Sequence, residues 1–282
     1  MLEARIPLGR ELADQAAILA AFFQRSLMRW LSNRVEFVLQ VVHLVVSASA
    51  MGFLGYIHGH QGLQMSKGEL TGAPDYLTFL LVGHFIMFLT FSAQRNVSHL
   101  MLTREFANLY ASPARLPVVL VGANSWRYII LFGHAAAILL IGRFAFGMTV
   151  HLTDGVVAVM VCAFMLMMSF DLISAGVRVA TKAQSDPINW VLMITSQLLA
   201  GTFYSVRSPH FPRWLEFVSR FHPQRHANDL ARMTLGGGKT LREVWPIFQN
   251  FLLAALVFFA IGLAVFWWGF RKARRDGTLG HL

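Results

Sequence analysis

Six long stretches of the chain are almost entirely apolar and nearly free of charge. A bilayer core is crossed by about 20 residues of α-helix, so each stretch has roughly the length of a transmembrane helix. They run from 37 to 56, 76 to 94, 126 to 146, 156 to 179, 188 to 204 and 248 to 270. The fifth is short, which is typical of a helix that breaks near the membrane surface. The pattern predicts an all-α integral membrane protein with six transmembrane helices.

The distribution of Lys and Arg predicts how these helices are oriented. An even number of spans puts both termini on one side, and both are basic, at residues 5–34 and 271–275. Cytoplasmic segments are enriched in Lys and Arg, so we expect both termini in the cytoplasm and the chain in the cytoplasmic (inner) membrane. One segment conflicts with this rule. Between Ser205 and Pro246, on the predicted outer side, there are seven further Lys and Arg residues.

Residues 9–34, before the first span, form an amphipathic pattern. Leu12, Leu19, Phe23 and Leu27 recur at helical spacing, with polar residues between them. This pattern predicts an interfacial helix on the cytoplasmic membrane surface, although a helix packed on a soluble neighbour has the same pattern. We expect residues 1–282 to form a single domain, with an interfacial helix at 9–34, a six-span core at 37–270 and a cytoplasmic tail at 271–282.

The composition agrees with a membrane protein. Of 282 residues, 56% are hydrophobic and 13% charged, whereas soluble domains have about 25% charged residues. The net charge of +10 fits basic cytoplasmic ends, so we expect no nucleic-acid partner. The single cysteine, Cys162, excludes an internal disulfide framework.

The segment Gly236-Gly237-Gly238-Lys239-Thr240 resembles the end of a phosphate-binding loop. The first glycine of that motif is replaced by Met233, however, and no buried strand precedes it. The three glycines are better explained as the end of a short helix. If ATP drives this protein, another chain must bind it.

A second candidate for chemistry is the set His222, His226 and Asp229. Their i, i+4 and i+7 spacing would place the three side chains on one helix face as metal ligands. Alternatively, His222 marks a helix boundary before Pro223, and Asp229 pairs with a nearby arginine. The spacing is a weak signal, and we expect no metal on this chain.

Ionisable groups at membrane depth form the third candidate. Such groups are costly in lipid and usually face a protein interior or a wet cavity. His43, His84 and Asp171 are candidates for a translocation path or a proton relay, while hydrogen bonding between helices explains them equally well. The same choice applies to His134, and Arg143 can extend its side chain to the interface.

The turn between the second and third spans is a candidate docking surface. Phe106, Leu109 and Tyr110 fall on one side of a short predicted helix that Pro113 ends. A partner that moved this turn would move both flanking spans. An ordinary solvated loop helix is the alternative.

The fifth span and the residues that follow it carry a recognisable series of motifs. Gly201 breaks the span, 211–221 is predicted to form a short amphipathic helix, and Pro223 begins another. The series resembles the membrane subunits of ABC-2 type transporters, which share a Gly-x-Phe-Tyr segment, Pro-x-Trp-Leu and Pro-x-x-x-Ala-x-x-x-x-Arg before a glycine. The matching residues are Gly201, Phe203, Tyr204, Pro212, Trp214, Leu215, Pro223, Ala227, Arg232 and Gly236.

The resemblance extends over nearly the whole chain and is greatest for the drug and lipo-oligosaccharide exporters, through residues 226–232. Gln224 departs from it, because an apolar residue is usual there, and Ala107 stands where a glutamate is common. The resemblance implies a re-entrant outer helical hairpin before the sixth span, partly inserted in the outer leaflet, which accounts for the cations there. It also implies that the turn docks an ATPase through Glu105, Phe106, Leu109, Tyr110, Ser112, Pro113 and Arg115.

The function implied by the resemblance is that of a permease subunit in an ATP-driven exporter. The permease would pair with a second permease subunit, expected to be another copy, and with two ATPase subunits that carry ATP and Mg. It would contact membrane lipids and have no catalytic residues or cofactor of its own. The expected cargo is amphiphilic, drug-like or lipid-linked. The alternatives are a polysaccharide or glycolipid exporter of the same fold, a proton-coupled secondary transporter and a metal-dependent membrane enzyme.

Overall fold

The computed structural model describes residues 8–60, 70–93, 116–183 and 187–277. Within these ranges the chain is helical, with connecting turns and no strand. The helices are α1 (Leu8–Ser32), α2 (Arg34–His60), α3 (Tyr76–Ala93), α4 (Leu116–Phe146), α5 (Asp154–Thr181), α6 (Pro187–Leu199), α7 (Arg213–Ser219), α8 (Pro223–Ala231), a π-helix (Arg232–Gly236) and α9 (Leu241–Arg275).

Four helices of the described chain have the length and composition to cross a membrane. They lie in Phe37–His58, Val118–Phe146, Asp154–Thr181 and Leu241–Arg275. The second and fifth predicted spans correspond to the shorter apolar segments Tyr76–Thr90 and Ile188–Leu199. The all-helical architecture is therefore confirmed, and the number of membrane crossings remains a prediction.

Two helices begin before the apolar stretches that predicted them. α4 begins at Leu116 instead of residue 126, and α9 extends seven residues before residue 248. Thr240 and Glu243 form a capping box that starts α9 upstream of the apolar stretch. α6 ends at Leu199, because Gly201 has φ +62°.

α5 and α9 have the most extensive helix–helix contact in the described chain. The two helices are parallel: Gly155 lies beside Leu241 at their starts, and Gly176 lies beside Gly269 near their ends. A Cβ atom on Gly269 would lie 2.0 Å from the carbonyl oxygen of Gly176. The backbones approach this closely only because neither glycine has a side chain, as in many membrane helix pairs.

The other helix ends meet around the starts of α5 and α9. Gly52 and Gly55, near the end of α2, lie against Phe146 at the end of α4 and Leu77 at the start of α3. α3 is thus antiparallel to α2 and α4. One end of the bundle therefore contains the ends of α2 and α4 and the starts of α3, α5 and α9.

α1 packs against the start of α4, at the opposite end of the bundle. Phe22 contacts Gly122, and the rings of Phe23 and Trp30 lie 5.5 and 5.3 Å from Trp126. The N-terminal segment is helical between Leu8 and Ser32, and the interfacial position expected for residues 9–34 remains a prediction. Part of its aromatic side is covered by α4 itself, an arrangement that the amphipathic pattern could not specify.

Candidate functional site

The chain between α6 and α9, residues 200–240, is here called the hairpin segment. It contains α7, α8 and the π-helix, and it lies at the bundle end where α3, α5 and α9 begin. Pro212 precedes α7 and Pro223 is the first residue of α8, as expected for prolines that begin helices. α6 ends at Leu199, two residues before Gly201, and α8 begins at Pro223, while the outer hairpin itself remains a prediction. The predicted helix 211–221 is shorter and spans Arg213–Ser219.

Arg232 is the central side chain of the hairpin segment. It is 1% exposed, and its guanidinium carbon lies 3.4 Å from the ring centroid of Phe79 on α3. Its nitrogens donate to the carbonyl oxygens of Phe79 at 3.2 Å, Gly201 at 2.8 Å and Thr202 at 3.1 Å. One side chain therefore joins the π-helix, α3 and the chain that follows α6.

Two of the hydrogen bonds from Arg232 satisfy backbone carbonyl groups that lie outside any helix. Residues 201–205 are not helical, so their carbonyl oxygens need partners if they are buried. Arg232 supplies donors to two of them, while Asn228 donates to the Ala200 carbonyl at 2.8 Å and to the Thr202 hydroxyl at 3.2 Å. A planar guanidinium with five donors is suited to bridging several oxygens.

The guanidinium of Arg232 remains charged at neutral pH. Burial lowers the pKa of Arg232 to about 9, and the negative charge of Asp229 opposes this effect. The nearby Phe79 ring adds a favourable cation–π contact in a site from which water is excluded. The site is therefore a buried cation that interacts mainly with carbonyl oxygens and an aromatic ring.

Close backbone approaches attach the hairpin segment to α3. A Cβ atom on Gly83 would lie 2.4 Å from the Thr202 carbonyl oxygen, so only glycine leaves room there. The Tyr76 hydroxyl donates to the Phe203 carbonyl at 3.2 Å. Gly237 approaches the Gly72 carbonyl oxygen in the turn before α3. The start of α3 and the hairpin segment thus form one packed unit.

Acidic residues pair with several of the cations that conflict with the charge rule. Arg207 donates to Asp229 at 2.9 Å, and Arg225 lies 3.9 Å from the same carboxylate. Arg220 is paired with Glu216 at 3.0 Å. Together with the buried Arg232, these pairs give four of the seven cations a partner within the protein.

The exposed side of α7 is aromatic. Trp214 and Phe217 on α7 are 68% and 59% exposed, whereas Leu215 and Ser219 on the other side are buried. Phe221, two residues beyond the end of α7, is 73% exposed, and its ring lies 5.3 Å from that of Phe217, so the three rings form one aromatic strip. Trp214, named from the sequence, is thus a surface residue, unlike Gly201 and Arg232, which meet in the interior. Tyr204 is half-buried, and its hydroxyl donates to the Leu198 carbonyl.

The three candidate metal ligands have separate partners. His226 Nε2 lies 2.8 Å from the Arg220 carbonyl, and His222 Nε2 lies 3.5 Å from the Ser196 hydroxyl. Asp229 binds Arg207. Among the described residues, no group of three or more His, Cys, Asp or Glu side chains is arranged to hold a metal ion.

The three candidate path residues lie on three different helices. His84 on α3 is 5% exposed. His43 on α2 is exposed. Asp171 is completely buried on α5.

The predicted docking turn lies outside the described residues, since residues 94–115 are not among them. The undescribed range contains all seven predicted docking residues, which are Glu105, Phe106, Leu109, Tyr110, Ser112, Pro113 and Arg115. The glycine run is described: Gly236 ends the π-helix and Gly237 follows it, so these glycines end a helix as predicted.

Sequence reasoning missed the partners of Arg232. Phe79 and Gly83 lie about 150 residues away in sequence on an apolar helix, and neither has a local motif. The only available signal was that an arginine flanked by Leu230, Ala231 and Leu235 must find an interior partner if it is buried. The π-helix had no signal in the sequence.

Comparison with known families identifies the class of protein that this arrangement belongs to. The family model for the ABC-2 type transporter matches residues 18–235. The chain belongs to this family and is a multi-pass membrane protein, the permease component of an ABC transporter. A search of curated protein sequences found no match to the chain.

Proposed function

We propose that the chain is the permease subunit of an ATP-driven exporter, which works as a homodimer with two copies of a separate ATPase that bind ATP and Mg. The observation that carries the proposal is the Arg232 contact. Residues of the family motifs, Gly201 and Arg232, meet there and tie the hairpin segment to α3. A conformational change in the bundle would therefore be transmitted directly to the hairpin segment.

The directions of the helices support six membrane crossings. α5 and α9 are parallel, so the chain between Thr181 and Leu241 must return to the end at which α5 began. α6 has 13 residues and a length of about 20 Å, which is shorter than a bilayer core of about 30 Å. The non-helical residues 200–205 complete the crossing. Non-helical backbone is tolerated at that depth because Arg232 and Asn228 satisfy its carbonyl groups.

The proposed orientation places the hairpin segment outside and both termini in the cytoplasm. The aromatic strip of α7 would then enter the outer leaflet, where Trp and Phe side chains are favoured. Exposed Arg213 near the start of α7 would meet lipid headgroups. This arrangement is the re-entrant outer hairpin of the exporter proposal.

A second copy of the chain would cover α2. Most of this helix is exposed, including Val46 at 61% and Phe53 at 58%. His43 is also exposed at the depth of the span, and an ionisable group there is costly against lipid. Contact with a second copy would remove His43 from lipid and place it, with His84, beside the translocation path between the two copies. Asp171 is proposed as a further polar group near that path.

An amphiphilic, drug-like or lipid-linked cargo suits this surface. The exposed residues of α2 and α6 are mainly Val, Leu, Ile and Phe, with Trp190 on α6. A small hydrophilic ion would require a more polar lining. The same reasoning admits a lipid-linked saccharide, the substrate of the polysaccharide or glycolipid alternative.

ATPase docking on the turn at 103–117 provides the test. Tyr110→Asp with Pro113→Asp should abolish co-purification of the cognate ATPase while leaving the permease folded. The matched control is Thr149→Asp with Leu152→Asp, two exposed positions at the other end of the bundle. Unchanged co-purification of the ATPase with the first variant would contradict the docking role.

Transport in inverted vesicles distinguishes the energy sources. With ATP present and the proton gradient collapsed, uptake should continue, because the ATPase drives the cycle. Uptake that stops under these conditions would favour a proton-coupled transporter.

A further inference from the structure

An open cavity of about 950 Å³ lies at the C-terminal end of α9. Its lining includes Trp267 and Trp268, followed by Arg271, Lys272, Arg274, Arg275 and Asp276. The apolar part of the lining is nearer the middle of the helix and the cationic part is nearer its end. The cavity is therefore amphipathic along the helix axis.

The tryptophans of α9 indicate the depth of this cavity in a membrane. Trp245 is 47% exposed near the start of α9, and Trp267 and Trp268 are 40% and 54% exposed near its end. At 1.5 Å per residue, Trp245 and Trp267 are separated by about 33 Å of helix, close to the thickness of a bilayer core. Exposed tryptophans mark the two membrane interfaces. Trp267 and Trp268 therefore lie at the interface, and the cations lie about 6–12 Å beyond it, at the level of the lipid headgroups.

The charges of the cavity select an anion. Four cations and one carboxylate line it, and Arg271, Arg274 and Arg275 form no ion pair with any residue in the described part of the chain. Lys272 lies 5.8 Å from the ring centroid of Trp268, within cation–π range. Three arginines at headgroup depth thus remain available to an external phosphate, which guanidinium groups bind in a bidentate manner.

We propose that this cavity binds the headgroup of an anionic phospholipid, whose phosphate contacts Arg271 and Arg275 while its acyl chains lie along Trp267 and Trp268. An acidic protein surface would also suit the arginines. It would not account for the exposed tryptophans that continue the same cavity into the apolar span. The occupant is therefore a lipid of the leaflet at the α1 end of the bundle. This inference depends on the placement of α9 in the membrane and is independent of the cargo and of the ATPase.

The test is lipid retention by the purified full-length chain, measured by native mass spectrometry with phosphatidylglycerol and phosphatidylcholine as probes. The wild type should retain phosphatidylglycerol in preference to phosphatidylcholine. Arg271→Gln with Arg275→Gln should weaken phosphatidylglycerol binding about thirty-fold, because each cation near an anionic lipid contributes about five- to sixfold and the two factors multiply. Phosphatidylcholine retention should not change.

The matched control is Arg34→Gln with Lys182→Gln. Both residues are exposed at the same end of the bundle, and neither lines the cavity. This variant loses the same charge and should retain phosphatidylglycerol like the wild type. An equal loss in both variants would show a general effect of charge and would overturn the site. Unchanged retention in the Arg271 and Arg275 variant would also overturn it, and loss of ATPase co-purification in that case would identify a protein partner instead.

Tryptophan fluorescence gives a second measurement that needs no change in the arginines. Brominated phosphatidylglycerol should quench the emission of Trp267 and Trp268 at a lower mole fraction than brominated phosphatidylcholine does. Trp267→Phe with Trp268→Phe should remove that difference. Equal quenching by the two lipids in the wild type would contradict the proposal.

Discussion

Two interfaces hold α9 and the hairpin segment in the bundle, and they do so by different physical means. α5 and α9 meet through Gly176 and Gly269, with no side chain between the backbones. The hairpin segment meets α3 through Arg232, a fully buried cation that donates to carbonyl oxygens. The first contact depends on two residues that have no side chain, and the second depends on the large polar side chain of Arg232.

The difference follows from the backbone on each side. The carbonyl groups of α5 and α9 are satisfied within each helix, so close packing alone stabilises their contact. Residues 201–205 have no helical hydrogen bonds, and burial of their carbonyls would be costly without donors from elsewhere. A regular pair of helices therefore forms with glycine, whereas an interrupted chain needs arginine.

The largest effect should come from adding one carbon atom to the glycine interface. Gly269→Ala would place Cβ 2.0 Å from the Gly176 carbonyl oxygen and force α5 and α9 apart. We expect a loss of unfolding free energy on the order of 3 kcal/mol, at the upper end of overpacking effects. Thermal unfolding of the purified chain in detergent measures it. Gly133→Ala on α4 is the control, since nothing lies within 4 Å of its Cβ position. Equal stability of the two variants would refute the role of close packing.

The next effect tests the polar interface. Arg232→Met retains apolar volume and removes the donors to Gly201 and Thr202, which should cost about 2 kcal/mol of unfolding free energy. Transport should fall more than the amount of folded protein does, because the hairpin segment would separate from α3. Arg213→Met, at an exposed arginine of the same segment, should leave both unchanged. Normal transport by the Arg232 variant would contradict the coupling.

The smallest effect is a pH dependence confined to the hairpin segment. Burial lowers the pKa of His222 from 6.5 to about 4, and the nearby His226 contributes in the same direction. The folded state therefore prefers neutral His222, so its stability is full above pH 6.5 and declines as the pH falls from 6.5 towards 4. Limited proteolysis of the hairpin segment between pH 7 and 5 should show earlier cleavage at low pH. A His222→Gln variant should lose that dependence, and a wild type that is equally resistant throughout would exclude the effect.

The helices could be predicted because hydrophobicity and helical spacing are local properties. All six apolar stretches lie within helices as far as they are described, apart from residues 200–204 of the fifth stretch, and residue 94 lies outside the described residues. The start of α4 was predicted ten residues too late, although Val118 to Val121 are apolar and the candidate membrane span begins at Val118. The packing of α1 on Gly122 and Trp126 at this end of α4 is a tertiary contact that the local pattern could not show.

Some residues of the candidate site could be predicted from the sequence, but their contacts could not. Gly201 and Arg232 could be selected through their motif, and the break at Gly201 follows from its backbone conformation. That Arg232 points inward and rests on Phe79 could not be deduced, because an arginine between α8 and a glycine run is compatible with solvent as well. The separate partners of His222, His226 and Asp229 could not be predicted either, since helical spacing alone would place all three on one face.

The sequence by itself determined that this chain is a helical membrane protein of the ABC-2 type. The length of its apolar stretches predicts the membrane helices, and the order of its motifs indicates the family, because both are properties of neighbouring residues. The tertiary structure decided which cations are buried, which helices are parallel and which face remains exposed. These depend on contacts between residues far apart in the chain. The free energy of such a contact is gained only when the two surfaces pack together. The close packing of Gly176 against Gly269 and the hydrogen bonds from Arg232 to carbonyl oxygens are examples.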